Sequence, residues 1–414
     1  MSTLTQPQPA TAIATQDSGP TRLISLPLGL TFLVEFASLT SFFLLLSVLP
    51  MLAAAAGASS SGAGLITGSL LLGTVIAEIA AAPGIRRFGY RAMVAAGAVL
   101  LGGPALALLP RQPLAVMIGV SFLRGLGFGL CGVTIGALAA TLLPPGRRGE
   151  GLGLLGLVSG VPTVVALPAG IWLAGHHLGM AVAAMAAATG LLPLATVRWL
   201  PGRGSVRGTQ PAERTRGRAP GAGMRLALIF AACTIAAGVL DSFLPLAKGV
   251  SSNLCSAALL VTAIFATVSR WRAGRYGDRH GHARLLIPAL IVSALGMAAM
   301  LWLGSPALIF VSMVLFGAGF GVVENATFAL LIEKLPEAGA SALWNLAYDA
   351  GYGAGPAVFG LFAARTGYPA AFAMTGVLVL AVLPAALRER RSGLSADEAS
   401  RLSGDALGSR EGPG

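Results

Sequence analysis

Charge is scarce in this chain. Only 11% of its 414 residues are Asp, Glu, Lys or Arg, against about 25% in a soluble protein whose surface faces water. A water-soluble globule of this size cannot be covered with so few charges. A disordered chain, a coiled coil and a collagen are excluded on composition as well. Cysteine is nearly absent. Cys131, Cys233 and Cys255 fall in or beside apolar runs and offer neither a disulfide framework nor a C-x-x-C metal spacing. Acidic residues are the scarcer charge, 16 against 28 Lys and Arg, for a net charge of +12. In a soluble protein that excess points to nucleic acid. In a membrane protein it is the ordinary retention of Lys and Arg in cytoplasmic loops.

Apolar residues are abundant, at 55%, and mean hydropathy is +0.79. The class left is a polytopic, all-α membrane protein, because each span needs roughly 20 apolar residues. Twelve runs qualify. The first six lie near 23–50, 63–83, 92–110, 113–143, 151–174 and 179–200. The second six lie near 224–247, 256–270, 285–303, 306–332, 341–364 and 369–387. The first run is too long for a signal-peptide core. Placing the N-terminus inside puts 24 of the 28 Lys and Arg in inner segments, three in outer ones and Arg124 within a span. The positive-inside rule then sets both termini in the cytoplasm. Residues 201–223, rich in Gly, Pro and Arg, read as a cytoplasmic linker between two pseudo-symmetric six-helix bundles, 23–200 and 224–388. Residues 1–22 and 389–414 read as disordered cytoplasmic tails.

A short pattern repeats between the halves. Gly-Ile-Arg-Arg-Phe-Gly-Tyr-Arg, with Arg87, Gly89 and Arg91, follows the second run. Gly-Arg-Tyr-Gly-Asp-Arg-His-Gly, with Gly274, Asp278, Arg279 and Gly281, follows the eighth. Arg87 and Arg279 are 192 residues apart, as duplication of a six-helix unit would leave them. Two such halves with a site between them make a transporter architecture.

On these motifs the chain resembles the major facilitator superfamily over about residues 22–388. That family's loop motif is Gly-x-x-x-Asp-Arg-x-Gly-Arg-Arg. The second copy here is the closer match, and the first has Arg86 where the family has Asp. Two further patterns carry the resemblance: Arg124 ahead of Gly127 and Gly129, and Leu167-Pro168-Ala-Gly170, a weakened form of the helix 5 antiporter motif, with a clearer Gly355-Pro356 in the eleventh run. The resemblance implies an alternating-access transporter, loop motifs that gate it, and a cavity lined by helices 1, 4, 7 and 10.

Six ionisable residues fall inside spans: Glu35, Glu78, Arg124, Asp241, Glu324 and Asp349. Each costs about 2.5–3.5 kcal/mol on insertion scales, so each needs a partner or a function. Four lie on the helices that the resemblance places at the cavity. Glu35 is ~18 Å from the inner end of its span and Arg124 ~16 Å from the outer end of its own. Matching depth and opposite sign predict an ion pair. Small or polar residues share the stripes of Glu324 (Gly317, Gly321), Asp349 (Gly353, Pro356), Asp241 (Thr234, Gly238) and Glu35 (Thr31, Ser38), as on faces turned from lipid. The charge of such carboxylates is set by desolvation against any neighbouring Arg, which suits proton coupling. Five acids to one base suits cationic substrates. For Glu78, structural and functional roles weigh equally.

Other signals carry less. Gly125-Leu-Gly127-Phe-Gly129 lies within an apolar run with no strand before it, so it is no dinucleotide loop. The pairs Gly125/Gly129, Gly156/Gly160, Gly317/Gly321 and Gly351/Gly355 predict close helix contacts. The pairs His176/His177 and His280/His282 lack convergent ligands, so no metal is expected. Trp302 and Trp344 near span ends read as interface anchors. The sequence therefore predicts a monomeric, multi-pass transporter of the cell membrane with no cofactor, nucleic-acid partner or enzymatic site. Its partners are protons, lipid and a small-molecule substrate, with proton-coupled export of amphipathic or cationic compounds ahead of uptake of a polar metabolite. A receptor or scaffold with a transporter fold is the alternative of another class.

Overall fold

The structure, a computed structural model, describes residues 25–108, 112–143, 148–202 and 220–391. The described residues hold helices and turns and no strand. The helices are α1 (Leu26–Leu46), α2 (Val48–Ala55), α3 (Ser60–Gly102), α4 (Leu114–Leu142), α5 (Arg148–Gly175), α6 (Gly179–Leu191) and α7 (Pro193–Thr196). After the expected linker come α8 (Pro220–Phe243), α9 (Ser252–His280), α10 (Ala283–Ala299), α11 (Pro306–Lys334), α12 (Glu337–Thr366) and α13 (Tyr368–Ala381). Most of that linker, both distal tails and the loops at 109–111 and 144–147 lie outside the described residues.

Serine starts four of the helices. Ser25, Ser59, Ser251 and Ser305 each accept a hydrogen bond from the amide three residues on, at 3.4, 3.2, 3.2 and 3.5 Å, satisfying amides that have no partner in the first turn. Among the described residues, ten stretches are long and apolar enough to cross a membrane. One of them, Ser60–Leu108, merges two expected spans. The 30-residue α12 is not among the ten. It carries Asn345, Tyr348, Asp349 and Tyr352 along its middle. Exposed Leu72, Ile79, Leu295, Leu361 and Val377 stud the outer surface, which suits a lipid surround.

Several boundaries differ from those expected. The two Arg-x-Gly segments are helix ends and not loops. α9 runs through Gly274, Asp278 and Arg279 and stops at Gly281, whose φ is +87°. Pro83 does not end α3; the break comes at Gly89, with φ +82°. Both breaks need a backbone conformation in which a Cβ is strained. The repeat is therefore conformational as well as sequential. The first run continues past Pro50: α1 and α2 are separated by Ser47 alone, which keeps helical backbone angles, and the apolar stretch reaches Ala55. Glu389 was expected in the tail. It is buried in a helical segment that reaches residue 391. Arg225 donates to it from Nε at 2.8 Å, and Lys334 pairs with its other oxygen.

Glycines set the closest helix contacts. A Cβ on Gly125 would strike the backbone of Leu70, one on Gly127 that of Leu101 and one on Gly129 that of Thr74, which fixes α4 on α3. Gly317 and Gly321 do the same for α11 on α9, and Gly351 and Gly355 for α12 on α8. Gly170 places α5 against Leu44 of α1. Gly156 and Gly160 break the pattern. A Cβ on either would meet nothing within 4 Å, because their face of α5 is turned away from any packed helix. The two halves of the chain meet mainly where α3 lies on α12 and α5 on α9.

These contacts separate glycine substitutions by outcome. Gly125→Ala is expected to destabilise by about 1–3 kcal/mol through overpacking, and Gly89→Ala by about 1–2 kcal/mol through its positive φ. Gly132→Ala, in helix with open space around it, should be neutral or gain up to about 1 kcal/mol. Thermal melting of the purified variants in detergent measures the order. Equal melting temperatures for Gly125→Ala and Gly132→Ala would contradict the α3–α4 contact.

Candidate functional site

The five acids within the spans are the chemistry that the fold has to accommodate; Glu324 and Asp349 are buried, and Glu35, Glu78 and Asp241 are partly buried. Glu35 on α1 accepts a hydrogen bond from the Ser159 hydroxyl of α5 at 2.9 Å. Asp241 on α8 accepts one from the Tyr352 hydroxyl of α12. Glu78 on α3 and Asp349 on α12 share a side-chain hydrogen bond across the two halves. Glu324 on α11 pairs with the Arg270 guanidinium of α9. Among the described residues, Glu324 alone of these five acids has a basic partner. The other four are held by a hydroxyl or by another carboxyl. Two carboxylates repel at such a distance, so the Glu78–Asp349 hydrogen bond requires a proton on one of them.

Arg124 does not meet Glu35. No ion pair joins them among the described residues. The Arg124 side chain is fully buried and donates to the carbonyls of Leu101 and Ser41, each at 2.7 Å. Leu101 lies in the last turn of α3, where carbonyls lose their amide donors and the helix dipole presents its negative end. A cation is stabilised there without a carboxylate. The guanidinium thereby ties α4 to α3 and α1. Ser41 extends the tie, its hydroxyl donating to Ala186 of α6 at 2.7 Å. The Arg124 Nε has no partner.

A row of aromatic side chains joins the acids in the second half. Trp344, Tyr348 and Tyr352 follow one another at successive turns of α12. Tyr348 stacks on Tyr352 at 5.5 Å and an interplanar angle of 17°, and Trp344 lies 5.9 Å from Tyr348. Phe230 of α8 stacks on Trp344 at 4.6 Å, and Phe328 of α11 meets it edge-on at 5.3 Å. Tyr348 lies within electrostatic reach of Asp241, Glu324 and Asp349. Trp344 is thus packed between helices and is no interface anchor, whereas Trp302 is exposed. The aromatic spacing of four residues was visible in the sequence. The contribution of Arg270 was not, because the eighth span was ended at that residue. Ser159 carries no distinguishing signal at all.

The expected gating residues lie at helix ends. Arg87 sits beside Phe88, its guanidinium carbon 5.3 Å from the ring. Arg91 donates to the Leu200 carbonyl at 2.5 Å. Gly274 faces Asn325 of α11. Asp278 lies 3.8 Å from His282, whose other ring nitrogen is 3.7 Å from Glu333. Pro168 lies inside α5 and Pro356 inside α12, the Pro356 carbonyl against Gly64 of α3. No group of three His, Cys, Asp or Glu placed to hold a metal occurs among the described residues. The three cysteines are buried free thiols.

Residues 31–342 match the sequence model of the family described as Major Facilitator Superfamily. A stretch of 147 residues is 31% identical to the multidrug resistance protein MdtG of Klebsiella pneumoniae (strain 342), covering 34% of this chain and 36% of that protein. The chain thus spans about a third of the length of the curated relatives it matches. The fold is that of a bacterial homolog of the human lysosomal transporter Spinster, with a TM-score of 0.72 at 15% identity over 89% of this chain and 97% of that one. It is likewise similar to the peptide transporter POT, with a TM-score of 0.69 at 18% identity over 88% and 95% of the two chains.

The Arg124 geometry separates a helix tie from an ion pair. Arg124→Leu leaves the Leu101 carbonyl buried and unpaired, at a cost of about 1–3 kcal/mol. In a double-mutant cycle on melting in detergent, Arg124→Leu and Glu35→Gln should add, with a coupling within about 0.5 kcal/mol. A coupling well above 1 kcal/mol would restore the ion pair expected from the sequence.

Proposed function

Because the chain belongs to the Major Facilitator Superfamily, we propose that it is a secondary active transporter of the cell membrane, coupling proton movement to export of small amphipathic or cationic compounds. One observation carries this reading. Glu35, Asp241 and the Glu78–Asp349 pair lie within the helix bundle with no basic partner among the described residues, so a proton or a cationic ligand is what can neutralise them. An exchange of one for the other is antiport. The relatives named for multidrug resistance support export over uptake.

The proposed architecture has twelve spans in two six-helix bundles. α1 with α2 forms the first. The arms of α3 on either side of Gly89 form the second and third, and α12 forms the eleventh, packed against α3 and α8 on one side and exposing Leu361 and Phe362 on another. The Lys and Arg distribution supports cytoplasmic termini. In that orientation the contacts between halves gather toward the outer end: Ser60 with Tyr368 at 3.1 Å, Thr67 with Ser242 at 3.0 Å, and Gly175 against Ser252. The halves are then closed outward, one stage of alternating access. In this reading Arg124 acts through helix packing, while Glu35, Asp241, Glu324 and Asp349 face the transported species. Arg87, Gly89, Arg91, Gly274, Asp278, Arg279 and Gly281 bend or tether helices at the inner face.

Flux of tetraphenylphosphonium and berberine in proteoliposomes under an imposed pH gradient tests the coupling. Wild type should move at least one of them with the gradient. Glu35→Gln, Asp241→Asn or Asp349→Asn should cut gradient-driven flux at least ~10-fold while exchange without a gradient persists, as removal of a proton site predicts. Full gradient-driven flux in all three variants overturns proton coupling through these acids. Absence of wild-type flux for both probes overturns the cationic substrate class.

A further inference from the structure

The second half contains an ion pair whose basic member is poorly held. Glu324 is buried, but the Arg270 side chain that pairs with it remains half exposed, and it reaches across from α9. Among the described residues Arg270 forms no other ion pair that would anchor it there. Tyr348 of α12 lies within electrostatic range of that pair and of Asp241 and Asp349. Tyr348 is the middle member of the Trp344–Tyr348–Tyr352 row, and Phe230 and Phe328 close on Trp344. Asp241 thus bonds to the row itself at Tyr352, Asp349 follows Tyr348 in sequence, and the Glu324–Arg270 pair lies within electrostatic range of the same tyrosine.

We propose that this cluster is a binding site for flat aromatic monocations, in which the Trp344–Tyr348–Tyr352 row takes the ring system and the ligand's charge displaces Arg270 from Glu324. The proposal deepens the transporter reading above and rests on it for the direction of transport alone. Three features of the cluster fit this ligand. Aromatic faces attract a cation through their quadrupole, more strongly when it is desolvated. Carboxylates in an apolar setting stabilise a ligand charge with little competition from water. Finally, the Trp344 indole nitrogen is a buried donor with no partner. An unpaired donor costs free energy that a ligand acceptor would recover, so the best ligand carries an ether or carbonyl oxygen on its ring system.

Arg270 has a distinct part here. In the empty protein it occupies the place of the ligand cation, which keeps Glu324 paired when no substrate is bound. It is therefore a competitor, and its removal should strengthen binding. A structural ion pair would show the opposite.

The test uses the full-length protein in detergent, with berberine, a planar monocation bearing ether oxygens, as probe and its fluorescence as readout. Tyr348→Ala should weaken binding ~10-fold and Tyr348→Phe by less than ~2-fold, as a contact with the ring face predicts. Trp344→Phe should weaken berberine ~3–10-fold through loss of the N–H donor and leave tetraphenylphosphonium, which has no acceptor, unchanged. Arg270→Gln should tighten berberine several-fold, and Glu324→Gln should weaken it ~10-fold. Tetraethylammonium, a cation without a ring, should compete poorly. Melting temperature is recorded for each variant, and Tyr348→Phe serves as the folded control. Unchanged berberine affinity in Tyr348→Ala, or weaker binding in a folded Arg270→Gln, overturns the site. Binding that follows these variants without any gradient-driven flux sustains the site and overturns the proton-coupled export of its ligand.

Discussion

An ionisable side chain inside an apolar helix bundle has no water to turn to, so its partner must come from the protein. Much of this structure follows from how six such side chains meet that constraint. The lone buried base, Arg124, is answered by carbonyls, and this choice decides where α1, α3 and α4 cross, because Leu101 and Ser41 must both come within hydrogen-bond reach of one guanidinium. Four of the five acids, all but Glu324, are answered by groups that can change. A serine or tyrosine hydroxyl and a second carboxyl are weak competitors for a carboxylate compared with Lys or Arg. A bundle built for permanence would have paired these acids with bases.

Helices must also come close enough for short side chains such as Ser159 and Thr67 to reach across. Glycine makes that possible. On the α3–α12 seam, Gly64 faces the Pro356 carbonyl, Gly68 and Gly353 lie together, and Gly360 sits on Ser60. The backbones approach without intervening side chains, and van der Waals packing takes the place of the hydrophobic drive that is weak within lipid. Farther along the same seam the contact changes from backbone to Glu78 and Asp349. A seam of this kind is rigid where it is glycine and proton-dependent where it is carboxyl.

How much of this was legible beforehand depends on the range of the interaction. Apolar run length is a local property, and it located the helices. The intramembrane charges were found because a charge in an apolar run is conspicuous, and the Arg-x-Gly repeat was found because it recurs at the same place in both halves. Positive φ at Gly89 and Gly281 shows that the repeat preserves a backbone bend. Partner choice was not legible. Depth placed Glu35 and Arg124 at similar levels, but depth says nothing about azimuth, and the two side chains leave their helices toward different neighbours. The end of α9 was misplaced for a related reason. Arg270, Arg272, Arg275 and Arg279 lower hydropathy without breaking a helix, since Arg is a good helix former. A drop in hydropathy therefore marks the membrane boundary and not the helix boundary. Glu389 was lost to the tail by the same confusion.

The helix that falls short of membrane-like hydropathy, α12, has neighbours in both halves. It packs on α3 of the first half and on α8, α11 and α13 of the second. Its polar residues are tolerated because those neighbours screen them from lipid, and this shielding is what allows Trp344, Tyr348, Asp349 and Tyr352 to share one helix. The consequence is mechanical. Asp349 and Tyr348 are adjacent in sequence, yet one bonds to Glu78 across the seam and the other stacks within the second half. A rotation or shift of α12 that changes the aromatic row must therefore change the Glu78–Asp349 hydrogen bond as well. In the proposed mechanism, ligand occupancy on one face of α12 and proton occupancy on the other would be linked by the stiffness of a single helix, with no longer pathway required.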